Sequence, residues 1–223
     1  MRAFASSLVF ATLRAMRLLL CFLLLASNVL HAQQPAVPER KLESLLLMPE
    51  PKVLRGPYST TLFNAQRTVF TCYREAAGAL NGVEAYTADT FKKLGISVES
   101  FATRAKAAAD KRLLLLRPEL IKGEDGKIAY AVYRGDSPLY ATLLVAPSLP
   151  KIFAELFGPE IWVVTPDRHS LYVFPAKAEL LQDFTADLAE RYTSDPFATS
   201  CEIFSVKAGA EPQVVASYVG AEN

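Results

Sequence analysis

Asp167, Arg168 and His169 bring an acid, a permanent cation and a titratable imidazole together in consecutive positions. Three such groups on a loop could grip a polar ligand or share a proton, and loops held by rigid strands often carry function. The chain has two histidines, His31 and His169, and the first falls in a leader-like segment. Any histidine-based acid–base chemistry in the remaining chain therefore falls to His169. Two functional readings follow. In one, Asp167, Arg168 and His169 form a binding surface for a protein or small-molecule ligand. In the other, Asp167 and His169 serve a hydrolase whose nucleophile or second acid lies elsewhere. The same residues also suit a plain turn, with Pro166 at the second position and Asp167 at the third. A second polar cluster, Arg134-Gly135-Asp136-Ser137-Pro138, has the composition of a turn as well.

What positions the Asp167 tip is the stretch GPEIWVVTPDRHSLYVFP, residues 158–175. Two apolar runs, Ile161 to Val164 and Leu171 to Phe174, flank the polar tip and are rich in β-branched and aromatic residues. They read as a β-hairpin. Because the apolar residues do not alternate with polar ones, both faces should be covered, as for central strands of a sheet.

The N-terminus reads as a secretory signal over residues 1–32. Arg14 and Arg17 precede an apolar run from Leu18 to Ala26, and a small residue, Ala32, precedes the polar Gln33-Gln34. The expected location is periplasmic or secreted. An uncleaved leader would instead tether the protein to a membrane, the only setting in which a membrane partner is expected. Residues 1–32 hold three arginines and no acids, so 24 basic against 23 acidic residues become 21 against 23, a net charge near −2. That balance gives no electrostatic case for nucleic acid.

Cys72 and Cys201 remain after the leader. In an oxidising compartment they suggest one disulfide, which would close a loop of about 130 residues and contribute roughly 4–5 kcal/mol. The alternative is two separate buried thiols acting as small apolar residues. One histidine and two cysteines make a poor zinc site. Neither a Gly-x-Ser-x-Gly elbow nor a phosphate-cradling glycine loop occurs, and no cofactor is called for.

Residues 33–57 carry five prolines and read as an extended lead-in, with a short helix over Leu42 to Met48. A globular domain then spans residues 58–223. Spacings of three and four favour a helix from Ser59 to Leu80, although Thr68 to Tyr73 has strand-like composition. Thr87 and Ser97 read as helix caps, the second opening an alanine-rich helix to Leu114. Leu120-Ile121 and Ile128 to Tyr133 make a hairpin around Gly123-Glu124-Asp125-Gly126. Leu139 to Ala146 reads as a strand, 148–157 as a short helix, and Lys177 to Tyr192 as one amphipathic helix. Glu202 to Val206 and Gln213 to Tyr218 read as closing strands.

Two segments together carry a resemblance. Tyr86-Thr87 through Lys92-Lys93-Leu94-Gly95-Ile96-Ser97-Val98-Glu99, and Thr165-Pro166-Asp167-Arg168 with Leu171-Tyr172-Val173-Phe174, resemble the YtpQ-like family of uncharacterised bacterial proteins. His169 stands where that family is expected to carry an acid. The resemblance implies a mixed α/β domain and supplies no activity to carry over. The whole pattern predicts a single α+β domain, a mainly antiparallel sheet covered by the helices Ser97 to Leu114 and Lys177 to Tyr192.

Overall fold

In the computed structural model, residues 45–79, 82–176 and 178–220 are described. They belong to one unit, Leu42–Asn223. The leader, residues 1–32, and positions 33–44 of the lead-in lie outside the described residues.

The expected α+β class holds, but the strands form two antiparallel sheets rather than one. The first sheet contains β1 (Leu45–Pro51), β2 (Ser59–Thr60), β3 (Thr68–Glu75) and β4 (Val83–Ala85), in the order β1-β3-β2 with β4 also on β3. The segment expected to be a helix over Leu42 to Met48 is thus a strand from Leu45 onward. It pairs with β3 from Leu45↔Arg74 to Pro51↔Thr68. Pro49 and Pro51 are tolerated because β1 has a neighbour on one side only. The helix expected over Ser59 to Leu80 is also replaced, by β2 and β3. The β-branched and aromatic run Thr68 to Tyr73 prevails, because β3 is buried on both faces: Phe70 and Cys72 enter one core and Tyr73 another. Such two-sided burial removes the alternation that would have identified the strand.

Two helices follow, α1 (Ala88–Lys92) and α2 (Val98–Leu115). The Thr87 hydroxyl caps the first by accepting the Thr90 N–H, and the Ser97 hydroxyl caps the second by accepting the Ser100 N–H. Ala102, Ala105 and Ala109 of α2 lie in the main core, where small side chains allow the helix to pack closely.

The second sheet contains β5 (Glu119–Lys122), β6 (Ile128–Arg134), β7 (Glu160–Val164), β8 (Ser170–Pro175), β9 (Glu202–Lys207) and β10 (Gln213–Ser217). Its order is β10-β9-β7-β8-β6-β5. The β7–β8 hairpin is central, as its sequence predicts. Ile161, Val163, Leu171 and Val173 face the main core shared with α2. Val164, Tyr172 and Phe174 face a second core covered by Leu181 and Leu188.

Two further expectations give way. The strand expected over Leu139 to Ala146 is a 3-10 helix, Tyr140–Val145, buried from Ala141 to Val145. Its Thr142 hydroxyl donates to the Leu139 carbonyl at 2.6 Å and accepts from Arg112 Nη1 at 3.2 Å. An uninterrupted apolar run does not distinguish strand from buried helix. The helix expected over Lys177 to Tyr192 is two, α4 (Ala178–Gln182) and α5 (Thr185–Ser194), preceded in the chain by α3 (Leu149–Phe157). The break turns the Phe184 ring onto Tyr130 and Phe174, at centroid separations of 4.9 and 5.7 Å.

Candidate binding groove at the sheet-to-sheet seam

The β7–β8 tip is not a solvated turn end. Asp167 is 2% exposed. Its Oδ1 accepts the His169 backbone N–H at 2.8 Å, and its Oδ2 accepts the Ser170 hydroxyl at 2.8 Å. Arg191 approaches the same Oδ2 at 3.6 Å from α5. The carboxylate therefore holds the backbone of the turn and bonds the amide of His169 rather than its imidazole. Thr165 completes the loop, its hydroxyl donating to the carbonyls of Asp167 and Ser170 at 3.1 and 2.9 Å.

Arg168 reaches across to the other sheet. Its Nη2 donates to Glu50 Oε1 and to the Tyr73 hydroxyl, both at 2.8 Å, while Tyr73 donates to the same Glu50 oxygen at 2.6 Å. The guanidinium also lies 4.9 Å from the Tyr73 ring centroid and 5.4 Å from that of Phe197. Burial, followed by the hydrogen bond to Glu50, pushes the Tyr73 phenol up to about 12. A buried acid thus has a charged partner and a neutral one, as a desolvated charge requires.

His169 is half-buried, and its carbonyl accepts the Gly135 N–H at 3.2 Å. The two polar clusters singled out in the sequence are therefore neighbours. Arg134 itself turns to Glu119, with Nη2 at 2.6 Å from Oε2. Asp167, Arg168 and His169 are adjacent in space as well as in sequence, yet the first two point into the protein.

The seam continues where β3 begins. Thr68 and Ser200 hydroxyls share a hydrogen bond of 2.7 Å. Glu202, 2% exposed, accepts the backbone N–H groups of Gln66 and Arg67 on Oε1 at 2.7 and 3.1 Å. Its Oε2 is buried and meets no hydrogen-bond partner among the described residues. Arg67 Nη1 donates to the Val219 carbonyl at 2.7 Å, tying β3 to the chain after β10. The Tyr192 phenol is pushed up to about 12, first by burial and then by the neighbouring Cys201.

Beside this seam lies a groove of about 580 Å3, lined by Pro51, Lys52, Val53, Gln66, Arg67 and Tyr192, among others. The 3-10 turn Lys52–Leu54, which follows β1 directly, contributes Lys52 and Val53 to the lining. Val53 is 91% exposed and Leu54 60%, with the exposed cations Lys52 and Arg55 on either side. The two side chains are adjacent and form a small apolar patch, as Leu114 and Leu115 do at the end of α2, and what sets the first patch apart is the cation on each side of it and the groove beside it. The turn is nevertheless anchored, since the Lys52 N–H donates to the Arg67 carbonyl at 2.7 Å.

Glu50, Tyr73, Glu202 and the Lys52–Arg55 segment were not found from the sequence. Glu50 stands between Pro49 and Pro51 at the end of an apolar run, and its burial depends on Arg168, far along the chain, so no local pattern marks it. The suggested Cys72–Cys201 bridge is absent. Both cysteines are buried free thiols, Cys72 in the main core and Cys201 in the second, on opposite faces of the six-stranded sheet. Burial, followed by the charge of Glu99, pushes the Cys72 thiol up to about 12. Among the described residues no group of three or more His, Cys, Asp or Glu side chains is placed to hold a metal ion. Comparisons of the chain with protein-family models, with curated proteins and with solved structures find no match.

Proposed function

We propose that the protein is an exported, non-catalytic binding module that docks an acidic, partly apolar segment of another protein in the seam groove. The observation that carries this reading is the Lys52–Arg55 segment: two exposed aliphatic residues between two exposed cations, beside a groove of about 580 Å3. Aliphatic anchors supply affinity by leaving water, and flanking cations supply orientation and association rate through opposite charge. Glu50 precedes the lining residue Pro51 and is held by Arg168, and Arg191, next to the lining residue Tyr192, approaches Asp167; these contacts behind the lining steady the groove, which lowers the ordering penalty of binding. The tip thus supports the surface beside it instead of touching the ligand. The hydrolase alternative draws less support, because both Asp167 oxygens are engaged by the turn.

Fluorescence anisotropy with a labelled peptide of alternating Asp and Leu tests the proposal, with an Asp-to-Lys version as control. The acidic peptide should bind, and Val53→Asp should weaken it at least tenfold, about 1.4 kcal/mol. Equal binding of both peptides, or an unaffected Val53→Asp variant, would overturn the reading.

A further inference from the structure

A second cavity lies apart from the seam groove. It is a cleft of about 250 Å3 whose walls include Phe63, Pro147, Pro150 and Val206, with Lys106 and Glu211 also lining it. Lys106 Nζ bonds both carboxylate oxygens of Glu211, at 2.8 and 2.9 Å, and lies 5.5 Å from the centroid of the Phe63 ring. The two partners are unequally held. The Lys106 side chain is 24% exposed and that of Glu211 63%. An ion pair open to water on one side adds little stability, so Glu211 can leave it at little loss.

The aromatic floor is set by an uncommon backbone. Phe63 has φ 62° and Asn64 φ 57°, the left-handed region that a bulky side chain rarely occupies. Neighbouring contacts keep it there: Val214 N–H donates to the Phe63 carbonyl at 3.0 Å, and Asn64 Nδ2 to Gln213 Oε1 at 2.5 Å. The result is an aromatic ring beneath a fixed ammonium at the mouth of an apolar cleft.

We propose that this cleft binds a small apolar monocarboxylate, whose carboxylate replaces that of Glu211 on Lys106. Glu211 is the built-in stand-in: a carboxylate already making the contacts the ligand would make. An apolar cavity of about 150 Å3 holds a benzene ring, so a cleft of about 250 Å3 has room for a ring and a short acid arm. The prolines give the walls stiffness, and attraction between the Phe63 ring face and the ammonium helps keep Lys106 at the cleft.

The test is a titration of the isotope-labelled protein with phenylacetate, followed by NMR, against the neutral phenylacetamide. Phenylacetate should shift the amides of residues 63, 106 and 209–211, with phenylacetamide at least tenfold weaker. Glu211→Gln removes the internal competitor from an exposed position and should bind phenylacetate several-fold more tightly. Lys106→Met, once shown to be folded by its amide spectrum, should bind at least tenfold more weakly. Equal binding of acid and amide, or unchanged or weaker binding by Glu211→Gln, would overturn the proposal.

Discussion

Two hairpin tips of the six-stranded sheet use similar residues and meet different surroundings. The β5–β6 tip runs Gly123-Glu124-Asp125-Gly126-Lys127, and the β7–β8 tip runs Thr165-Pro166-Asp167-Arg168-His169. Each has an aspartate that accepts a backbone N–H two residues on: Asp125 from Lys127 at 3.0 Å, Asp167 from His169 at 2.8 Å. At the sheet edge the aspartate stays in water, and its ion pair with Lys127 is 3.5 Å long between side chains 60% and 85% exposed. At the centre of the sheet the aspartate is buried, and the next residue, Arg168, crosses to Glu50 and Tyr73 of the other sheet. A polar tip becomes architecture when a second layer closes over it. Position in the sheet, rather than the turn residues, decides which outcome occurs.

The contrast can be tested by removing one partner at a time. Arg168→Ala should have the largest effect, because it leaves Glu50 buried without its cation. Urea unfolding should show a loss of roughly 3–5 kcal/mol, and a loss below about 1 kcal/mol would place the tip with its exposed counterpart. Tyr73 comes next and is read by pH. Its phenol is pushed up to about 12 from an ordinary 10, so the folded state keeps a proton that the unfolded state releases. The corresponding stability, about 2–3 kcal/mol for two pH units, is fully present below pH 10 and is lost as the pH rises from about 10 towards 12. Melting temperatures across that window should fall, and Tyr73→Phe should remove this share of the fall. Asp167→Ala should cost about 1–3 kcal/mol, since it leaves a buried hydroxyl and a backbone N–H without their acceptor. The matching change at the edge, Asp125→Ala, should stay within about 0.5 kcal/mol. Equal losses at Asp167 and Asp125 would erase the distinction between the tips.

The sequence is most legible where local chemistry and burial agree. The β7–β8 hairpin, the caps at Thr87 and Ser97, and the Gly123 to Gly126 turn all follow from nearest-neighbour rules. It is least legible where a segment is buried on all sides. The Tyr140–Val145 helix and β3 are both apolar runs without a period, and only the neighbours available in three dimensions distinguish them. The sequence points to one sheet rather than two because β1 begins inside a proline-rich lead-in, where Pro49 and Pro51 argue against a strand unless it lies at an edge. The tip residues stand out in the sequence as a cluster of charge, but the partners of Arg168 come from β1 and β3, about a hundred residues earlier. The Lys52–Arg55 segment gave no signal in the sequence, since the exposure of Val53 and Leu54 depends on where β1 ends.

The most direct test of the seam groove maps the acidic Asp–Leu peptide onto the backbone amides by NMR. The account predicts shifts at residues 52–55, 66–67 and 192–193, with residues 123–127 unmoved. Shifts confined to 123–127, or none at 52–55 at saturation, would contradict it.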